Sequence, residues 1–154
     1  MDKSTFAKLY MEQLPGLYRL ALSLLHHAPD AEDAVQQAAV NAWQARDRLP
    51  PGAERAWLAR IVINACRDIQ RQRMRTVPGE RLPEKPEAAP DPDLRDALDS
   101  LPEKLRIPVL LKYMEGWSER EIAAALHVTL YAVKSRLRRG RAALADALRE
   151  EETP

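Results

Sequence analysis

The feature that most limits what this chain can fold into is the run from Thr76 to about Asp93. It holds five of the chain's twelve prolines (Pro78, Pro83, Pro86, Pro90 and Pro92), and its charge is mostly acidic. Proline fixes φ and has no N–H to give to a helix interior, so helices cannot propagate through such a density. The run therefore reads as an extended tether. It separates residues 1–75 from residues 94–150, and the free chain is expected to sample many arrangements of the two about it.

Both stretches carry apolar residues at helical spacing, with no alternation of the strand kind. Three helices are expected before the tether. The first covers about 4–27, with Leu9, Leu14, Leu17, Leu20, Leu24 and Leu25 on one stripe and Pro15 expected to kink or divide it. The second starts after Pro29 and runs to about Arg46, with Asp30 as N-cap and Asp33 in a favourable first turn. Its apolar positions are mostly alanine, which permits close approach to neighbours. The loop Asp47–Ala53, containing Pro50, Pro51 and Gly52, breaks the pattern. The third helix, 54–75, packs Trp57, Leu58, Ile61, Val62, Ala65 and Ile69 and ends in Arg67, Arg71, Arg73 and Arg75.

Beyond the tether a short helical turn is expected at 94–98 and a helix from Leu101 to Glu115, bent at Pro108. Ser118 and Glu121 have the spacing of a capping box for a helix reaching Leu126. Thr129 then caps a last helix to about Leu148. The expected fold is all-α: two small helical domains joined by a Pro-rich linker, the C-terminal one a helix-turn-helix.

The net charge of +1 conceals segregation. Residues 67–75 hold four bases against one acid, and Lys134–Arg141 holds five bases and no acid. Two local basic surfaces fit a protein that touches a polyanion at two places, against the alternative of two solvated helix faces. Catalysis finds less support. Asp30, Glu32 and Asp33 crowd a helix N-terminus, where capping accounts for them. The serines lack spaced His and Asp partners, and no Gly-rich loop is present to grip a phosphate. The single Cys66 and three scattered histidines have no zinc spacing. No catalytic residue, cofactor or metal is expected, and the chain is not read as an enzyme. No apolar run is long enough to span a bilayer, and Met1-Asp-Lys-Ser-Thr does not start a secretory signal, so a cytoplasmic location is expected.

Nucleic-acid binding is the reading that survives. In the last helix Thr129, Tyr131 and Ala132 lie at the N-terminal end, the part of such a helix that reaches base edges. Lys134, Ser135, Arg138, Arg139 and Arg141 follow with the reach for bases or phosphates, while Val133 and Leu137 turn inward. In the N-terminal half Trp57 beside Arg60 either stacks on an unpaired base or packs into the core with Leu58, Ile61 and Val62. Single-stranded DNA and protein both remain open as its ligand.

Several stretches resemble the extracytoplasmic-function (ECF) family of RNA polymerase sigma factors. Asp30-Ala-Glu-Asp-Ala-Val-Gln-Gln-Ala-Ala-Val-Asn-Ala-Trp43 and Trp57-Leu-Ala-Arg-Ile-Val-Ile-Asn-Ala-Cys-Arg-Asp-Ile-Gln-Arg-Gln-Arg73 are similar to its region 2. Leu101-Pro-Glu-Lys104, Tyr113-Met-Glu-Gly-Trp-Ser-Glu-Arg-Glu-Ile-Ala-Ala-Ala-Leu126 and Val133-Lys-Ser-Arg-Leu-Arg-Arg-Gly-Arg-Ala-Ala-Leu144 are similar to its region 4. The resemblance implies an initiation factor that joins core RNA polymerase and directs it to particular promoters. It implies that Asp33, Gln36, Gln37 and Asn41 dock on the polymerase, and that the Asp47–Ala53 loop holds a flipped base of the −10 element. Asn64, Arg67, Asp68 and Arg71 would face −10 DNA, and Trp57 and Arg60, from the stacking reading above, are expected on the same DNA. The helix from Thr129 would read the −35 element, and an anti-sigma factor, which can hold the chain at a membrane, would be the regulator.

Three positions depart from the family pattern. Gln37 stands in place of an acid, Ala132 in place of a threonine, and Gly140 in place of an alanine, at a cost of up to about 1 kcal/mol of helix propensity. Two alternatives to the sigma-factor reading stay open. One is an autonomous helix-turn-helix regulator that binds duplex DNA without polymerase; the other is an interaction module that touches no DNA.

Overall fold

The structure, a computed structural model, describes residues 1–76 and 92–152, and among them all regular structure is helical. It divides into two compact units, one N-terminal and one C-terminal. The tether expected over 76–93 falls almost wholly outside the described residues.

The N-terminal unit consists of α1 (Lys3–Leu25), α2 (Ala28–Gln44) and α3 (Glu54–Thr76), each packed on the other two. Asp2 caps α1 by accepting from the Thr5 N–H at 2.8 Å. Pro15 does not divide this helix, which continues through it for 23 residues. Pro15 is exposed, so the carbonyl left without its helical partner has access to water. His26, at φ 53°, closes α1 by donating its N–H to the Leu22 carbonyl at 2.8 Å.

The start of α2 corrects the sequence reading. The helix begins at Ala28 after His27, two residues ahead of the expected N-cap, because Pro29 suits the first turn, where no N–H is needed. Asp30 therefore lies inside the helix, on the stripe shared with Ala34 and Ala38. It is buried, and its carboxylate accepts from Arg73 near the end of α3. The alanines bring neighbouring helices close: Ala31, Ala34 and Ala42 are fully covered, against a core that includes Leu20, Leu58 and Val62. Two long-range hydrogen bonds tie the bundle. The Tyr10 hydroxyl donates to the Val35 carbonyl, with burial pushing its pKa up to about 12, and Gln70 Nε2 donates to the Leu24 carbonyl at 3.2 Å.

The C-terminal unit comprises α4 (Pro92–Asp99), α5 (Glu103–Val109), α6 (Glu119–Leu126) and α7 (Leu130–Glu152), with α4, α5 and α6 all packed on α7. Pro108 is buried within α5, and a π-helical turn, Leu110–Met114, follows at once. There the Glu115 N–H reaches the Leu110 carbonyl, five residues back, at 3.1 Å. The expected capping box of α6 is formed: Glu121 N–H donates to Ser118 Oγ, and Ser118 N–H to Glu121 Oε1, both at 3.1 Å. Thr129 caps α7 by accepting from Ala132 N–H at 3.0 Å.

Gly140 is the second correction. Propensity alone makes it a weak point of α7, but its Cα faces α5 at a crossing that has no room for a side chain. A Cβ there would stand 2.6 Å from Val109 Cγ2 and 3.3 Å from the Leu105 carbonyl. Val109 is itself 1% exposed and β-branched, so it has little freedom to turn away. Gly140 thus sets the α5–α7 distance, and its propensity cost is offset by packing.

Candidate nucleic-acid interfaces

The last helix sorts its residues by the face they occupy. Val133 and Leu137 are buried against the unit's core, as the spacing predicts. Lys134, Arg138, Arg139 and Arg141 are exposed, Ser135 is half-buried, and Tyr131 is 79% exposed at the helix's N-terminal end. A tyrosine that open has no packing role in the isolated unit, so its ring is available to a ligand. Arg136, the fifth base of the run, is half-buried. Arg141 is not a loose cation: its Nη1 donates to the Tyr113 hydroxyl at 2.7 Å. The Thr129 hydroxyl is engaged as the cap of α7. The helix presents these groups behind the three residues that separate it from α6, with His127 in the left-handed region at φ 55° turning the chain.

In the N-terminal unit, Trp57, Arg60, Asn64, Asp68 and Arg71 fall at three- and four-residue steps on one stripe of α3, with Arg67 beside it. Asn64, Asp68 and Arg71 are exposed, whereas Trp57, Arg60 and Arg67 are half-buried. Trp57 is therefore neither a core residue nor an open platform. The cations near the end of α3 are less available than their count suggests. Arg71 pairs with Asp68, Arg73 with buried Asp30, and Arg67 Nη1 donates to Gln70 Oε1 at 3.1 Å.

The third group lies on α2. Asp33, Gln36 and Gln37 are exposed and Asn41 half-buried, and the Gln37 amide donates to Asn41 Oδ1 at 3.0 Å. Sequence reading passed over Val40, which is 50% exposed in the middle of this face. Its register, three and four residues from Gln37 and Gln36, was the available signal. Beside this face a groove of about 650 Å³ runs between α1 and α2, lined by Tyr10, Met11, Leu14, Tyr18, Val35 and Gln36 among others.

Sequence reading also passed over what shapes the loop after α2. A 3₁₀ turn, Arg46–Arg48, leads into it. Arg46 folds back on Trp43, its guanidinium carbon 3.8 Å from the ring centroid and its Nη1 donating to the Trp43 carbonyl at 2.8 Å. At the far end the Gly52 N–H, at φ 81°, donates to Glu54 Oε1 at 2.9 Å. That bond holds the Glu54 carboxyl below the usual carboxylate range. Among the described residues no group of His, Cys, Asp and Glu is arranged to hold a metal, and no helix is long and apolar enough to cross a membrane.

Two helical units in this order, the second closed by a basic helix set on a turn, have counterparts among known transcription factors. Residues 9–76 match the family model described as Sigma-70 region 2, and residues 92–144 that of Sigma-70, region 4, which defines the class as sigma-70-type initiation factors. The ECF RNA polymerase sigma factor SigE of Mycolicibacterium smegmatis is 37% identical over 156 residues, spanning 92% of this chain and 60% of the relative. The ECF RNA polymerase sigma factor SigL of Mycobacterium tuberculosis is 36% identical over 142 residues, spanning 84% of this chain and 80% of the relative. Among solved structures, the sigma factor RpoE crystallised with the anti-sigma factor NepR from Bartonella quintana superposes with a TM-score of 0.80 at 28% identity, covering 94% of this chain and 97% of that one. The chain belongs to the ECF family of RNA polymerase sigma factors. Membership places it among non-catalytic transcription factors.

Proposed function

We propose that this chain binds core RNA polymerase and directs it to promoters by recognising a −10 and a −35 element. The N-terminal unit, residues 1–75, would supply the polymerase contact through Asp33, Gln36, Gln37 and Asn41, with Val40 as an apolar centre. It would also engage −10 DNA through the Asp47–Ala53 loop and the α3 stripe from Trp57 to Arg71. The C-terminal unit, residues 94–150, would act as a helix-turn-helix formed by α6 and α7. In it Tyr131, Lys134, Ser135 and Arg138 would read the −35 element, with Thr129, Arg139 and Arg141 positioning the backbone. The segment 76–93 would be the linker. An anti-sigma factor is proposed as regulator on the likeness to RpoE, whose structure was solved with one, and a cytoplasmic site of action follows from the polymerase it serves.

The observation that carries this reading is the division of labour on α7. Val133 and Leu137 are buried to 2% exposure or less while Lys134, Arg138 and Arg139 stand exposed on the same helix, in a region-4 unit that follows a region-2 unit. The test is run-off transcription with core polymerase on a template library randomised over both elements. Transcripts are expected from a subset that shares sequence at both. Failure to bind core polymerase sinks the reading, and tight binding to duplex DNA without polymerase favours an autonomous regulator.

A further inference from the structure

The loop between α2 and α3 is short of packing yet rich in constraint. Asp47, Arg48, Pro51, Gly52 and Ala53 are exposed, so no core contact dictates their conformation. Three backbone bonds fold the segment on itself: Arg48 N–H to the Ala45 carbonyl, Leu49 N–H to Arg46, and Ala53 N–H to Pro50, at 2.9 to 3.1 Å. Pro50 and Pro51 fix two φ angles, and Gly52 supplies a left-handed one with open space where a Cβ would be. Two side chains then fasten the ends. Arg46 lies over the Trp43 ring, and Trp43 meets Phe6 edge-on at 5.4 Å, which connects the loop's entrance to α1. Glu54 grips the Gly52 amide at the exit.

Neither side chain is oriented as a ligand contact. The Arg46 guanidinium is directed onto its own helix end, and the Glu54 carboxylate would repel a nucleic-acid backbone. We propose that Arg46 and Glu54 are positioning residues that hold the Asp47–Ala53 loop in one shape, and that this shape sets which unpaired −10 base is accepted. The proposal rests on the reading of this loop as the −10 base site. A preformed loop avoids the ordering cost at the moment of binding and rejects bases that do not fit, whereas a loose loop accommodates several. The plainer account is that Glu54 only caps α3 and Arg46 only covers Trp43. That account predicts lost stability without altered base preference.

The experiment uses the full chain with core polymerase and a pool of fork-junction templates randomised over the unpaired −10 strand. A second pool randomised at −35 serves as control, and bound templates are sequenced. The unsubstituted protein is expected to select one base strongly at one or more unpaired positions. Arg46→Ala and Glu54→Ala are expected to flatten that preference by about fivefold, the factor associated with one cation–π contact or hydrogen bond, while leaving −35 preference intact. Glu54→Gln, which keeps the acceptor, restores most of it. Arg46→Lys, which keeps the charge but loses the flat fork, restores little, and thermal melting of each variant confirms that it is folded. Unchanged base ratios alongside a lowered melting temperature overturn the proposal and leave both residues as structural. Active transcription with no base preference at any unpaired position overturns the loop reading itself, and the proposal with it.

Discussion

The two units carry similar numbers of clustered cations and dispose of them in opposite ways. In the N-terminal unit Arg67, Arg71 and Arg73 each have a partner on their own unit, and for Arg73 that partner is a buried carboxylate. In the C-terminal unit Lys134, Arg138 and Arg139 are exposed, and in the same run Arg141 has a side-chain anchor, Tyr113, at 2.7 Å. A basic stretch in a sequence therefore reports two different things. One kind knits helices together; the other waits for a polyanion. The distinction turns on where the acids fall in space, and a count of charges along the chain misses it.

The largest expected effect tests the knitting role. Arg73→Ala removes the guanidinium that donates to the buried Asp30 carboxylate, and the N-terminal unit should lose about 3 kcal/mol, the lower end for a broken buried pair because Arg73 retains some solvent contact. Side-chain exposures of 34% for Arg73 and 7% for Asp30 set that asymmetry. Arg71→Ala, whose pair is 65% and 63% exposed, should change stability by less than about 0.5 kcal/mol. Hydrogen exchange resolves the units: α3 amides should lose protection in Arg73→Ala while α7 amides keep theirs. Equal losses for the two arginines would erase the contrast. The double variant Asp30→Ala/Arg73→Ala should cost less than the two single changes added, because the pair is removed as a unit.

Next in size is Gly140→Ala. Helix propensity predicts a gain of up to about 1 kcal/mol, but the contact with Val109 predicts a net loss of about 1–3 kcal/mol from overpacking. Denaturant titration of the C-terminal unit decides the sign. Val109→Ala introduced together with Gly140→Ala should cost less than the two changes added, because the removed methyls make room for the new Cβ. Strict additivity would show that the close approach carries no energy.

These two cases mark where the sequence stopped being readable. Helix positions were largely legible, because apolar spacing and the Ser118–Glu121 box are local signals and the helices lie along them, whereas Pro15 does not divide α1 and α2 starts ahead of its expected cap. The sequence places Asp30 at a cap because nothing local announces a partner 43 residues away, and it shows only the propensity cost of Gly140 because the neighbour Val109 lies on another helix. The α7 face was legible because burial of Val133 and Leu137 follows from their spacing. The α3 cluster was only half legible: Arg71 and Asp68 are three residues apart and could have been paired in advance, but Arg73 could not. The loop's two anchors are local as well, at three and two residues' separation, yet neither a cation–π contact nor a carboxylate grip on a glycine amide has a distinctive sequence pattern.

A smaller effect tests the exposed cations. Lys134→Ala and Arg138→Ala should each weaken promoter binding by the polymerase complex and reduce the slope of log affinity against log salt by about one, the signature of one lost phosphate contact. Arg73→Gln, which removes the charge but keeps a donor for Asp30, should leave that slope unchanged. If Arg73→Gln reduces the slope as much as Lys134→Ala, the α3 cation contacts DNA despite its partner and the contrast between the units is wrong.

The smallest effect concerns the residue that stands between the two behaviours. Arg141 is exposed, yet its guanidinium is tied to the Tyr113 hydroxyl on the π-helical turn. Tyr113→Phe removes one exposed hydrogen bond, worth at most about 1 kcal/mol, and leaves the charge in place. If Tyr113 aims Arg141 at a phosphate, promoter affinity should fall about twofold to fivefold with the salt slope unchanged, since the same number of counterions is released. Arg141→Ala should lower both affinity and slope. An increase in affinity for Tyr113→Phe would mean the reverse: the phenol withholds Arg141 from DNA, and this cation belongs with those of α3. The sign of that one change assigns Arg141 to the group that binds or the group that knits.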